Sequence, residues 1–197
     1  MPKLPDMLRK ATGYRTWSEA EIERFETLHP IGTKARLAFA LLLYTGQRRG
    51  DVVKLGRQHI HGDVLTVDQG KTEGGEEAHL EIPVHPKLRE IIEATPTVGV
   101  KTFLVTHFGK PYTAPGFGNW FRELCDTVGC PDVSAHGLRK ATARRLAEIG
   151  CTAHQIAAIT GPLHSARCNA TPKPPIASVW HAKPWPSWSR KDGEQNC

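Results

Sequence analysis

Apolar residues recur at helical spacing through most of the chain. Ile22, Phe25 and Leu28 mark one face of a segment that Ser18 and Glu21 open with capping-box spacing. Trp17 stands where it can staple onto Ile22, and Pro30 ends the segment. Residues 33–44, TKARLAFALLLY, are apolar nearly all round from Leu37 onward, the pattern of a buried central helix closed by Thr45-Gly46. Val52, Val53 and Leu55 return to the core. Between 57 and 84 the period changes. Residues 64–67 and 79–82 read as short strands, with a turn at Gly62-Asp63 and a hairpin tip over 70–75. Leu88, Ile91 and Ile92 mark a short helix ended by Pro96. Residues 102–105 read as extended, and GKPYTAPGFG as a connecting loop. Phe117, Phe121, Leu124 and Val128 predict a further helix stopped by Gly129. Leu138, Ala141, Leu146 and Ile149 predict the next, from a Ser134 cap to Gly150. Thr152 and Gln155 then box the start of a last helix, with Ile156 and Ile159 inward and Gly161 as its stop. This order predicts an α+β, mainly α, domain with a small sheet over residues 14–161.

The two ends read differently. Residues 1–13 show no period and are expected to be a linker. Residues 162–197 hold six prolines and three tryptophans without any period, so a disordered tail is expected. The change at 161 is abrupt, as in a shifted reading frame or rearranged gene end.

Composition narrows the class. Of 197 residues, 39% are hydrophobic, yet the longest apolar run, Leu37 to Tyr44, is far too short to span a bilayer. The first ten residues lack the apolar core of a secretory signal. Five cysteines, with no C-x-x-C pair, suit a reducing, cytoplasmic setting. Ten histidines show no metal-binding spacing on an evident helix, and no P-loop or dinucleotide fingerprint is present, so neither metal nor cofactor is expected. The net charge of +6 fits a polyanion partner, although residues 162–197 carry half of it.

Charge therefore matters by location. His136 and Arg139 are three residues apart at a helix start, on one face, where the helix N-terminus adds its own partial positive charge. Lys140, Arg144 and Arg145 extend this cluster as candidate DNA contacts, and Lys140 and Arg144 read equally well as a solvated helix face. Arg48 follows the buried helix directly, so the core fixes its origin. Its planar guanidinium suits bidentate phosphate binding, and Asp51 is placed to brace it. A surface partner for the helix C-terminal dipole is the plain alternative for Arg48. Lys71 sits at the hairpin tip, either exposed to solvent or reaching into a neighbouring site.

Four segments in register, TGQRRGD (45–51), QGKTEGG (69–75), IPVHPKL (82–88) and AHGLRK (135–140), resemble the tyrosine recombinases, or phage integrases. The resemblance covers about residues 14–161 and implies that family's helical catalytic domain with a small antiparallel sheet. It implies that Arg48 and Arg139 clamp a scissile phosphate, Lys71 acts as general acid, His136 assists proton transfer or bonds the phosphate, and Asp51 supports the site. It also implies double-stranded DNA as partner, with a homo-oligomer or an intact recombinase assembled on it. Two departures stand out. Pro162 occupies the place of an expected His or Trp, with His164 two residues away. The only tyrosines, Tyr14, Tyr44 and Tyr112, all precede His136, so none matches the family's nucleophile and a defective fragment is expected. Two other readings compete. A helix-turn-helix DNA-binding module without catalysis would make Arg48 and Lys71 incidental. A phosphate-handling enzyme unrelated to DNA has no motif in its favour.

Overall fold

The computed structural model describes residues 14–70 and 78–161. The expected linker over 1–13, Lys71 at the hairpin tip, and the expected tail with Pro162 and His164 lie outside them. Among the described residues seven α-helices and three strands follow in order: α1 Glu19–Leu28, α2 Lys34–Thr45, α3 Arg49–Val52, β1 Ile60–His61, β2 Val64–Gln69, β3 Ala78–Pro83, α4 Pro86–Ala94, α5 Ala114–Thr127, α6 Ala135–Glu148 and α7 Ala153–Thr160. The strands form one antiparallel sheet in the order β1-β2-β3, with Leu65 opposite Ile82 and Gln69 opposite Ala78. The domain is thus α+β and mainly α.

Local chemistry sets the helix starts. Ser18 and Glu21 form the capping box of α1, and Thr152 and Gln155 that of α7. Thr33 caps α2 through its hydroxyl, which accepts from the Arg36 N–H at 3.2 Å. Gly46, at φ +63, ends α2 in the left-handed conformation that glycine tolerates best. Helix α2 is buried from Leu37 to Thr45 and packs on α4 and α6. Trp17 is fully buried and reaches past α1, lying edge-on to Phe25 and Phe39.

Several expectations are corrected. The Gly/Pro-rich segment is only partly a loop, because α5 begins inside it at Ala114. Pro115 occupies the first turn, where its missing N–H costs nothing, and the Thr113 hydroxyl supplies the cap. Leu28 and Ile149 share the helical period of the core, yet 54% and 40% of their surface is exposed. Each is the last apolar residue of its run, where the helix passes the edge of the packed layer. Ser134 precedes α6, but its hydroxyl makes no cap and is buried without a partner. Its carbonyl instead accepts from Trp17 Nε1 at 2.9 Å.

Glu21 yields a pH prediction. Burial raises its pKa, but bonds from Arg15 and from the Ser18 hydroxyl and N–H outweigh this and bring it down to about 2. A carboxyl depressed on folding stabilises fully above its unfolded value near 4.5, and that contribution is lost as pH falls toward 2. In Glu21→Gln, whose amide retains the box geometry, the fall in melting temperature between pH 4.5 and 2 should therefore be shallower than in the parent. Parallel acid limbs in the two proteins would refute this.

Candidate active site

The ends of α2, β2 and α7 meet the first turn of α6, and Arg48, Asp51 and Arg139 lie around that junction. Arg48 is half-buried at the position before α3, directly after the fully buried Gln47. Asp51, on α3, is 7% exposed. Its Oδ2 is buried with no hydrogen-bond partner, and the Gly70 N–H at the end of β2 bonds its carboxyl. Burial pushes the Asp51 pKa up, while the charges of Arg48, Lys54 and Arg139 pull it back. Arg139 is 2% exposed. Burial and then the charge of Arg48 bring its pKa down to about 10, with Asp51 opposing both. It still carries its proton at neutral pH. Arg48, Asp51 and Arg139, 91 positions apart in sequence at the extremes, therefore share one electrostatic neighbourhood.

A buried guanidinium needs acceptors. Arg139 Nη1 donates to the Gly46 carbonyl at 3.0 Å and to the Thr160 carbonyl, and Nη2 donates to the Gly161 carbonyl at 3.3 Å. These carbonyls close the C-terminal ends of α2 and α7, where the helix dipoles place partial negative charge. Two helix ends and Asp51 together allow a cation to sit in the interior.

His136 is half-buried in the first turn of α6, and the exposed Tyr14 ring lies on it at 4.7 Å between centroids. Gly137 follows. A Cβ there would stand 2.2 Å from the Arg15 carbonyl oxygen, so the segment Tyr14–Trp17 lies directly on the helix that carries His136.

The basic residues farther along α6 divide. Glu19, at the start of α1, takes ion pairs from both Arg144 and Arg145, and Arg144 also reaches Glu148 at 3.5 Å. Arg145 keeps only 11% of its side chain exposed, so it braces α6 against α1. Lys140 is half-buried and has no ion-pair partner among the described residues. The turn between α6 and α7 is present, but α7 buries Ile159 and Thr160 in the junction. Tyr44 and Tyr112 are held elsewhere. Tyr44 stacks on His85 at 4.4 Å with its hydroxyl pushed up to about 12 by burial, and Tyr112 stacks on Trp120 beneath Lys34.

Two buried amides complete the junction, and neither stands among the expected site residues. Gln47 Nε2 donates to the carbonyls of Ile159 at 2.7 Å and Thr45 at 3.0 Å. Gln69 Nε2 donates to Gln47 Oε1 at 2.6 Å and to the Thr160 carbonyl at 3.1 Å. Strand alternation could have flagged Gln69, since it follows Leu65 and Val67 on the buried face of β2.

Known proteins share this fold. The sequence model of the phage integrase family matches residues 18–166. The catalytic core of lambda integrase is similar at 20% identity and a TM-score of 0.61, covering 79% of this chain and 95% of its own. XerA recombinase is similar at 17% identity and a TM-score of 0.65, covering 91% of this chain and 60% of its own. Lambda integrase solved as a tetramer bound to a Holliday junction is similar at 21% identity and a TM-score of 0.62, covering 83% of this chain and 51% of its own. The chain thus spans about the length of the isolated core and 51–60% of the longer recombinase chains. No curated protein matches the sequence. Among the described residues no helix is long and apolar enough to cross a membrane. The chain belongs to the phage integrase family, the tyrosine recombinases, and carries that family's catalytic-domain fold.

Proposed function

We propose that the junction of α2, β2, α6 and α7 binds a phosphodiester of double-stranded DNA in site-specific recombination, with Arg48 and Arg139 as its two positive arms. The observation that carries this reading is the mutual charge coupling of Arg48, Arg139 and Asp51 at one place in the fold. Two guanidiniums in one electrostatic neighbourhood suit the charge that builds on phosphoryl oxygens in a pentacoordinate transition state. Asp51 limits their repulsion before DNA arrives. His136, at the rim, is placed to bond the phosphate or pass a proton, and Lys71 is assigned the leaving 5′ oxygen as general acid. Lys140 is the α6 cation best placed for the DNA backbone, since Glu19 engages Arg144 and Arg145. Residues 14–161 form the catalytic unit, flanked by segments 1–13 and 162–197. Assembly with further copies or with an intact recombinase on DNA is part of the same proposal, set in the cytoplasm.

The chain carries tyrosines at 14, 44 and 112 only, so these 197 residues alone bind duplex DNA without covalent attachment. Water at the site lacks the fixed in-line placement that supports strand rejoining. Titrating a 30-base-pair duplex at increasing salt should give binding that weakens with a slope of about −0.9 per phosphate contacted. Arg48→Ala should make that slope shallower by about one. Binding indifferent to salt would end this reading. A nicked suicide duplex should yield no covalent protein–DNA band, and a band lost on changing any one of the three tyrosines to phenylalanine would overturn that part.

A further inference from the structure

We infer that Gln47 and Gln69 are positioning residues that set the Arg139 arm of the phosphate clamp, an inference that rests on the function proposed above. Both side chains are buried, at 0% and 1% exposure, and both lie at points where the surrounding pattern is apolar or structural. Gln47 sits between the end of α2 and Arg48. Gln69 takes a core-facing place at the end of β2, two residues before Lys71.

The orientation of each amide is fixed. The carbonyls of Ile159 and Thr45 can only accept, so both must face Gln47 Nε2. Gln47 Oε1 is then left to accept from Gln69 Nε2, whose second partner is the Thr160 carbonyl. That same carbonyl accepts from Arg139 Nη1. The chain of contacts runs from α2 through β2 to the end of α7 and on to Arg139. It has one arrangement, because reversing either amide would set oxygen against oxygen.

Stability alone does not account for Gln69. Its Oε1 is buried without a hydrogen-bond partner, which costs free energy that a methionine of similar shape would not. A Cβ on Gly161 would stand 2.3 Å from that oxygen, so the amide is also closely packed. What the two amides supply is direction. They aim the Thr160 carbonyl, and through it hold the guanidinium on which the charges of Arg48 and Asp51 act. The Gly70 N–H that bonds Asp51 directly follows Gln69, so the end of β2 meets Asp51 through Gly70 and, through Gln69, the Thr160 carbonyl that accepts from Arg139.

The test compares full-length Gln69→Met, Gln47→Met, Arg48→Ala and the parent on one 30-base-pair duplex. Salt titrations are run at a temperature at which circular dichroism shows each protein folded. The salt slope counts phosphates neutralised by folded protein, so a loss confined to packing does not move it. Each glutamine variant should bind about tenfold more weakly at low salt, with a slope shallower by about one, as for Arg48→Ala. If one glutamine variant does not fold, the other decides. Glutamine variants with the parent's slope, beside an Arg48→Ala slope that falls, would overturn the positioning role and leave the clamp standing. An unchanged slope in Arg48→Ala would remove the clamp and this inference with it.

Discussion

Replacing Arg139 by methionine is expected to destabilise the domain as well as remove one arm of the site. The substitution keeps the length of the side chain but strips the carbonyls of Gly46, Thr160 and Gly161 of their guanidinium partner. A buried polar group left unsatisfied costs about 1–3 kcal/mol, though water entering the vacated space offsets part of the total. The variant is in turn relieved of the penalty of burying a charge, a penalty visible in the lowered pKa of Arg139. A net loss of about 3 kcal/mol is expected, which for a domain of this size lowers the melting temperature by roughly 6–12 °C. Arg139→Lys separates the two roles. Its ammonium keeps the charge but lacks the planar fork that spans the ends of α2 and α7, so stability should return only in part. A methionine variant melting within about 2 °C of the parent would show that these contacts contribute little.

Gly137→Ala should be nearly as damaging for a different reason. The added methyl group would stand 2.2 Å from the Arg15 carbonyl oxygen and 3.0 Å from Trp17 Cδ1. Arg15 is met at its backbone, so no side-chain rotation relieves the clash. Either the segment Tyr14–Trp17 lifts or α6 shifts. Lifting would break the Trp17 Nε1 bond to Ser134 and draw the indole from its place beside Phe25, Phe39 and Phe121. Overpacking of this kind costs about 1–3 kcal/mol, and the backbone contact places it toward the upper end. The Tyr14 ring would leave His136 in the same movement. A lower melting temperature and a displaced Trp17 indole resonance in ¹⁵N spectra are the expected outcomes. An alanine variant with both unchanged would mean that the chain accommodates the methyl group without moving the Tyr14–Trp17 segment.

The sequence by itself determined the helix boundaries set by short-range bonds. The capping boxes at Ser18 and Thr152 and the glycine stop of α2 each complete within four residues, so residue type and spacing suffice. It also determined the buried character of α2, because no helix apolar on every side remains in water. Four short motifs in register were enough to indicate the family. The start of α5 was hidden because Pro115, Gly116 and Gly118 carry turn propensity that packing of Phe117 and Phe121 overrides.

Only the tertiary structure decided what the charged and amide residues do. Arg139 bonds Gly46 across 93 positions, Gln47 bonds Ile159 across 112, and Arg145 meets Glu19 across 126. None of these partners lies within reach of a helical or strand repeat. The sequence therefore offered Arg145 as a DNA contact, its ion pair with Glu19 is visible only in the fold, and Gln47 and Gln69 were left unremarked. Burial of a polar group depends on whether acceptors from distant elements converge on it. That convergence is a property of the assembled helices and sheet, and it exists in no single stretch of chain.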